Sequence, residues 1–144
     1  MKKKLPIEAE ELIPHRPPML LARRLLERDP LTDTALVEAE APARGIFIGP
    51  GPRPVPEYYI ELGAQAAGMA NGYDRLLEGA PDLRGFLIGL DQLEWLQDAL
   101  PGIKLFVHLE KKFEFGNIKI ITVNVADCND LPFFQGTIKV WEEK

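Results

Sequence analysis

A carboxylate and an amide one helical turn apart, Glu61 and Gln65, sit inside the most apolar stretch of this chain, PEYYIELGAQAAGMANGYDRLL from Pro56 to Leu77. At i and i+4 they share one face of a helix. Around them stand Gly63, Ala64, Ala66, Ala67, Gly68 and Ala70. Such a helix has no broad polar face, so burial on most sides is expected. A carboxylate there is costly unless something satisfies it. Glu61 is therefore either a group poised for proton transfer or a structural carboxylate paired with backbone or with Gln65. Other chemistries find no residues. No His, Cys, Asp and Glu cluster has metal-ligand spacing, and neither metal nor cofactor is expected. The run from Gly49 to Pro54 carries prolines where a phosphate loop needs N–H donors. Cys128, beside Asn129 and Asp130, has no neighbour that would activate a thiol.

The elements that must position this pair follow from punctuation and period. Proline suits a first helical turn and Gly79 with Pro81 suits a stop, so the helix should run from Pro56 to near Gly79. Residues 5–19 hold four prolines and should be irregular. Leu20–Arg28 and Thr34–Ala41 read as strands, and Pro42–Pro56 as a loop with a defined, non-regular backbone. After the helix, strands are expected at Gly85–Leu93, reaching toward Trp95, at Ile103–Phe115, at Ile118–Ala126 and at Phe133–Trp141. Gly116-Asn117 and Asn129-Asp130 mark the turns between the last three. Short strands, one long helix and an antiparallel meander make an α+β chain. A helix with small residues on several faces suits a strongly curved sheet wrapped around it.

The 144 residues make one domain, 1–144, with 46% hydrophobic and 27% charged residues. The net charge of -5 argues against nucleic acid. It is uneven: residues 1–55 hold nine Lys/Arg against eight Asp/Glu, and the remainder eight against fourteen. Arg16, Arg23, Arg24, Arg44 and Arg53 are thus available to an acidic partner, or are simply solvated. A single cysteine excludes an internal disulfide and fits a reducing compartment. The start MKKKLPIEAEELIP lacks an apolar secretory core, and Glu61, Gln65 and Asn71 interrupt the longest low-charge run. A cytoplasmic protein with no membrane span is expected.

Four patches carry a family likeness. LIPHRPPMLLARRLLE (Leu12–Glu27), IELGAQAAG (Ile60–Gly68), GFLIGLDQLEW (Gly85–Trp95) and LPGIKLFVHLE (Leu100–Glu110) occur in that order over roughly residues 11–142. They resemble the hotdog-fold 3-hydroxyacyl-acyl-carrier-protein dehydratases of fatty-acid synthesis. The resemblance implies a curved antiparallel sheet around one central helix. It implies a homodimer, or a heterodimer with another hotdog chain, whose sheets join edge to edge and whose sites lie at the interface. It also implies an acyl thioester carried on acyl carrier protein or coenzyme A, its chain lying beside the helix.

Dehydrating such a thioester needs a base for the C2 proton, an acid for the departing 3-hydroxyl and a donor for the enolate-like oxygen. By resemblance, Glu61 falls on the family's acidic position, with Gln65 as its partner. The family's histidine is missing. The motif Gly-His-Phe-Pro-Gly reads here Gly45-Ile46-Phe47-Ile48-Gly49, and counting back from Glu61 places Phe47 at that position. No histidine lies between His15 and His108. The family's donor glycine is replaced by Pro56, which has no N–H, so only the Glu57 or Tyr58 amide is near. His15, in Pro14-His15-Arg16, is either a replacement base or a packing residue of that segment. His108 reads as surface or interface. Gln65, Tyr58, Phe47 and Gly68 are the expected substrate-binding residues, Tyr58 and its neighbour Tyr59 being equally able to serve as packing.

Three functions fit. The chain is a dehydratase-like subunit lacking histidine that works with a histidine-bearing hotdog partner. Or it is a variant enzyme, either a dehydratase using His15 or a thioesterase in which Glu61 activates water. Or it is a catalytically silent protein that binds acyl thioesters.

Overall fold

In the computed structural model, which describes residues 4–51, 53–81 and 84–143, the chain folds around one helix. The strands are β1 (Ile7–Glu8), β2 (Ala22–Asp29), β3 (Thr34–Glu40), β4 (Ile48–Gly49) and β5 (Arg53–Pro54). The helix α1 (Pro56–Glu78) follows, then β6 (Gly85–Trp95), β7 (Lys104–Phe115), β8 (Ile118–Ala126) and β9 (Pro132–Glu142). Proline at the first turn starts α1, and Gly79 ends it at φ 67, where a left-handed residue lets the chain cap the Arg75 and Leu76 carbonyls. The expected irregular start contains β1 and a short 3-10 turn at Ala9–Glu11, and the Pro42–Pro56 loop contains the small β4–β5 ladder.

Seven strands form one antiparallel sheet in the order β1-β2-β3-β7-β8-β9-β6. Its concave face meets α1, the hotdog arrangement. Alternation decides which residues face the helix. Leu25, Val37, Leu105, Val107, Val123, Phe134 and Ile138 are buried against Tyr59, Leu62, Ala66 and Met69. Each such large side chain contributes roughly 1.5–3 kcal/mol by leaving water. Tyr59 stacks on Phe134 with centroids 5.6 Å apart. On the far edge, β6 is exposed along most of its length, Phe86, Leu87, Ile88, Leu90 and Trp95 included. Its pairing with β9 slips between Leu87 and Gly89 and again between Asp91 and Glu94, near Gln92 at φ 52.

The burial of α1 is less complete than its composition implied. Leu62, Gly63, Ala66, Met69 and Ala70 are covered, whereas Glu61, Ala64, Ala67, Gly68 and Asn71 form a half-buried stripe. The sheet covers one side of the helix and the segment before β2 crosses another. That crossing needs Gly72: a Cβ there would lie 2.4 Å from the Leu12 carbonyl oxygen. Arg16 braces the segment by donating to the carbonyls of Ile13, His15 and Glu10.

At the far end of α1 an ion-pair chain ties helix to sheet. Arg28 donates to both oxygens of Asp74, at 3.0 and 2.7 Å, and to Asp33 at 2.9 Å. Lys111 reaches Asp33 at 2.7 Å. The hydrogen bonds it donates to Asp74 hold the Arg28 guanidinium above its usual pKa. Burial works against the Asp33 carboxylate, but hydrogen bonds from Lys111 and Arg28 outweigh it, and its pKa lies below the ordinary carboxylate value.

Two outcomes follow. Gly72→Ala gains helix propensity yet forces a methyl against backbone, so it should destabilise the chain by about 1–3 kcal/mol in urea unfolding. Unchanged stability would refute the close approach. Because the folded Asp33 pKa is depressed, its stabilisation is present above the unfolded value and fades as pH falls through the folded one. Asp33→Asn, which still tolerates the left-handed φ of 56, should be less stable than the parent at neutral pH. The gap should close as pH drops below about 4; a gap constant with pH would count against the carboxylate's role.

Candidate active site

The site begins with the Gln65 amide, which is 2% exposed and makes four hydrogen bonds. Its oxygen accepts from the backbone N–H groups of Leu21 at 2.9 Å and Ala22 at 3.3 Å. Its nitrogen donates to the Met19 carbonyl at 2.7 Å and to Glu61 Oε1 at 3.1 Å. Two N–H groups on one side and a carbonyl with a carboxylate on the other leave the amide a single orientation. Gln65 thereby joins the helix to the chain entering β2 and presents Glu61 outward. It is Gln65, and not Glu61, that is the deeply buried polar group of this helix: the Glu61 side chain is 33% exposed.

His15 stands beside Glu61. Its Nε2 is 3.8 Å from Glu61 Oε1, too far for a hydrogen bond. Its Nδ1 is buried with no partner among the described residues. The loop before α1 brings no other base. Ile46 is exposed to solvent, and Phe47 sets its ring edge-on to Tyr58 at 6.1 Å. The Tyr58 N–H donates to the Val55 carbonyl at 3.0 Å, which leaves the Glu57 amide as the nearest candidate donor at the helix start.

Glu61, His15, Gln65 and Gly68 all line one groove of about 550 Å³ between α1 and the concave sheet. Its middle is small and apolar, with Ala64, Ala67, Ala35, Leu109, Ile121 and Val140 among its walls. The other two expected substrate-binding residues lie elsewhere. Phe47 and Tyr58 border a second concavity of about 500 Å³ with Arg23, Arg44 and Ile46. The Tyr58 ring is fully buried, and its hydroxyl donates to the Glu40 carbonyl at 3.3 Å. Burial, with Tyr59 and Glu40 nearby, pushes that phenol far above its usual pKa, so it stays neutral. His108 is exposed on β7, as its place in the alternation implied. Among the described residues no helix is long and apolar enough to cross a membrane, and no His, Cys, Asp and Glu group could hold a metal ion.

The far end of the groove is where sequence reasoning fell short. Arg28, Asp33, Asp74, Lys111, Lys119 and Glu142 line it. The signal lay in the strand period: Lys111 continues Val107 and Leu109, Lys119 continues Val123 and Ile121, and Glu142 continues Ile138 and Val140 on the inward face.

An apolar groove with a carboxylate at its mouth suits an acyl group bearing a reactive head. Comparison with known proteins agrees. A relative 33% identical over 107 residues, 72% of this chain and 74% of its own, is the 3-hydroxyacyl-[acyl-carrier-protein] dehydratase FabZ of Dechloromonas aromatica (strain RCB). Among solved structures, the dehydratase heterocomplex ApeI:P from Xenorhabdus doucetiae superposes with a TM-score of 0.83 at 16% identity, over 99% of this chain and 93% of that one. PaaI from the phenylacetic acid degradation operon of E. coli matches at 0.64 and 10% identity, over 81% and 80%. Those two likenesses speak for the fold. Residues 7–144 match the family model described as ApeP dehydratase, and by that span the chain belongs to the ApeP-like dehydratase family.

Proposed function

We propose that this chain takes part in dehydrating 3-hydroxyacyl thioesters, carried on acyl carrier protein or coenzyme A, as the subunit that contributes the acid. The observation that carries the reading is Glu61, held at the mouth of an apolar groove by Gln65, behind a loop that offers Ile46 and Phe47 where a base belongs. In the reaction a base takes the C2 proton, the C3–O bond breaks, and the protonated Glu61 carboxyl gives its proton to the departing hydroxyl, which leaves as water. Glu61 suits the last step because it is accessible and aimed. The base would be a histidine from a second hotdog chain. Support for such a partner comes from the unpaired apolar edge of β6, since an exposed edge strand is a surface proteins normally cover. The likeness to a dehydratase heterocomplex adds to it.

A second reading rests on His15, whose imidazole lies 3.8 Å from Glu61 and whose Nδ1 has no partner among the described residues. In that reading the chain holds both groups and dehydrates unaided.

The purified chain should leave a 3-hydroxyacyl thioester untouched and dehydrate it once a histidine-bearing hotdog partner is added. Glu61→Gln in this chain should then lower the rate of the pair by about 10²–10⁴-fold. Turnover by the chain alone that His15→Ala abolishes would replace this reading with the second. Glu61-dependent hydrolysis of an acyl-CoA would instead make it a thioesterase, and binding without turnover in any pairing a silent acyl-thioester binder.

Gln65 acts as a positioning residue. Gln65→Leu strands two N–H groups and a carbonyl, so it should cost about 2–4 kcal/mol of stability. In the active pair it should lower kcat while leaving KM nearly unchanged, because the groove persists but Glu61 loses its aim. Retained kcat would show that the amide serves packing alone.

A further inference from the structure

The concave face of the sheet is apolar from the centre of the fold until its last rows, and there it becomes charged. Gly63 of α1 packs on Val123 of β8, so closely that a Cβ on the glycine would lie 3.0 Å from the valine side chain. Lys119 lies four residues farther along that strand, about 13 Å away. Asp74 lies thirteen residues beyond Glu61 along the helix, about 20 Å. Both border the same groove as Glu61. At this end Arg28, Asp33, Asp74 and Lys111 are linked by ion pairs, and the Lys119 ammonium meets Glu142 Oε1 at 2.5 Å. The Glu142 side chain is 6% exposed, yet its Oε2 has no partner among the described residues. A charged pair at the end of an apolar channel, with one carboxylate oxygen unsatisfied, is costly to bury. Packing does not require it, since neighbouring inward positions hold Ile138 and Val140.

We propose that the Lys119–Glu142 pair is the end stop of an acyl-binding groove and sets the longest chain the groove accepts. This rests on the reading that the groove takes the acyl part of a thioester. An apolar chain gains affinity as each methylene slides between Ala67, Ile121 and Val140. Once its tip reaches the pair it can go no farther without pressing hydrocarbon on a carboxylate that has no donor to spare. The neutral ion-pair chain beyond, from Lys111 through Asp33 and Arg28 to Asp74, closes the way around.

The test is binding of saturated acyl-CoA thioesters of stepwise increasing length to the full chain, measured by calorimetry. Affinity should rise about fourfold per added methylene while the groove fills, then stop rising at one length. Lys119→Leu with Glu142→Leu removes both charges together, a replacement that buried pairs often tolerate without loss of stability. In that double variant the rise should continue through further methylenes. Ile121→Phe narrows the groove one row ahead of the pair, since Lys119 sits opposite Val140 and Ile121 opposite Ile138, and should move the break to shorter chains; it carries the test if the double variant does not fold. Thioesters that bind with a break unmoved in the folded variants, or with no break in the parent, overturn the end stop while leaving the acyl groove intact. No binding at any length overturns the acyl groove itself, and the stop with it.

Discussion

Everything near the mouth of the groove hangs on the Gln65 amide. Buried in a helix of alanine and glycine, it would be expensive alone. With four partners it becomes a joint between the middle of α1, the start of β2 and the Glu61 carboxylate. The small residues of the helix are the condition for this joint. Gly72 lets the Leu12 carbonyl cross in van der Waals contact, and that crossing carries His15 to within 3.8 Å of Glu61. A bulkier helix would push the segment away and separate these groups. The choice of small residues is thus a requirement of the site as much as of the core.

The elements were largely legible because their signals are local. Proline and glycine bracket α1, Gly116-Asn117 turns β7 into β8, and alternation over Leu105, Val107 and Leu109 marks β7. The small residues on several faces of α1 pointed to a curved sheet wrapped around it, and the resemblance implied the same. Depth was read less well. Apolar composition suggested a sealed helix, but a sheet can cover only the side it faces, and Glu61 lies on the stripe left over. Tyr58 was expected beside the substrate because it lies near the helix start, and Phe47 because counting back from Glu61 puts it where the resembled family has its histidine. At the start of a helix one residue rotates the side chain by about 100°, and Tyr58 turns into the core instead. The nearness of His15 to Glu61 is a contact between residues 46 positions apart, beyond any periodicity. The charged far end was written in the alternation of β7, β8 and β9, but three inward charges on three strands declare themselves only once register puts them together.

The groove and the catalytic groups obey different physics. Binding an acyl chain, as the proposed function requires, needs area and dryness, which Ala35, Leu109, Ile121 and Val140 would provide without fine positioning. Proton transfer needs atoms within hydrogen-bond reach; among the described residues the Glu61 carboxylate is held by Gln65, whereas His15 Nδ1 has no partner. The two requirements can diverge in one lineage: a chain keeps its apolar channel through many substitutions, while Ile46 or Phe47 in place of one imidazole would leave the loop before α1 without a base. Under the proposed function, that asymmetry lets family membership be plain over residues 7–144 while the base comes from a second chain.

The slips along β6 carry a consequence for recognition. A straight apolar edge would accept many strands in many alignments, which is the usual route to promiscuous aggregation. β6 bends between Leu87 and Gly89 and again past Asp91, where Gln92 adopts a left-handed conformation. A strand docking there must carry complementary bends, and sliding it by one residue would put both out of step. For any strand that docks there the edge would be a keyed surface: its hydrophobicity favours association in general, and its irregularity narrows the set of chains that could take advantage of it.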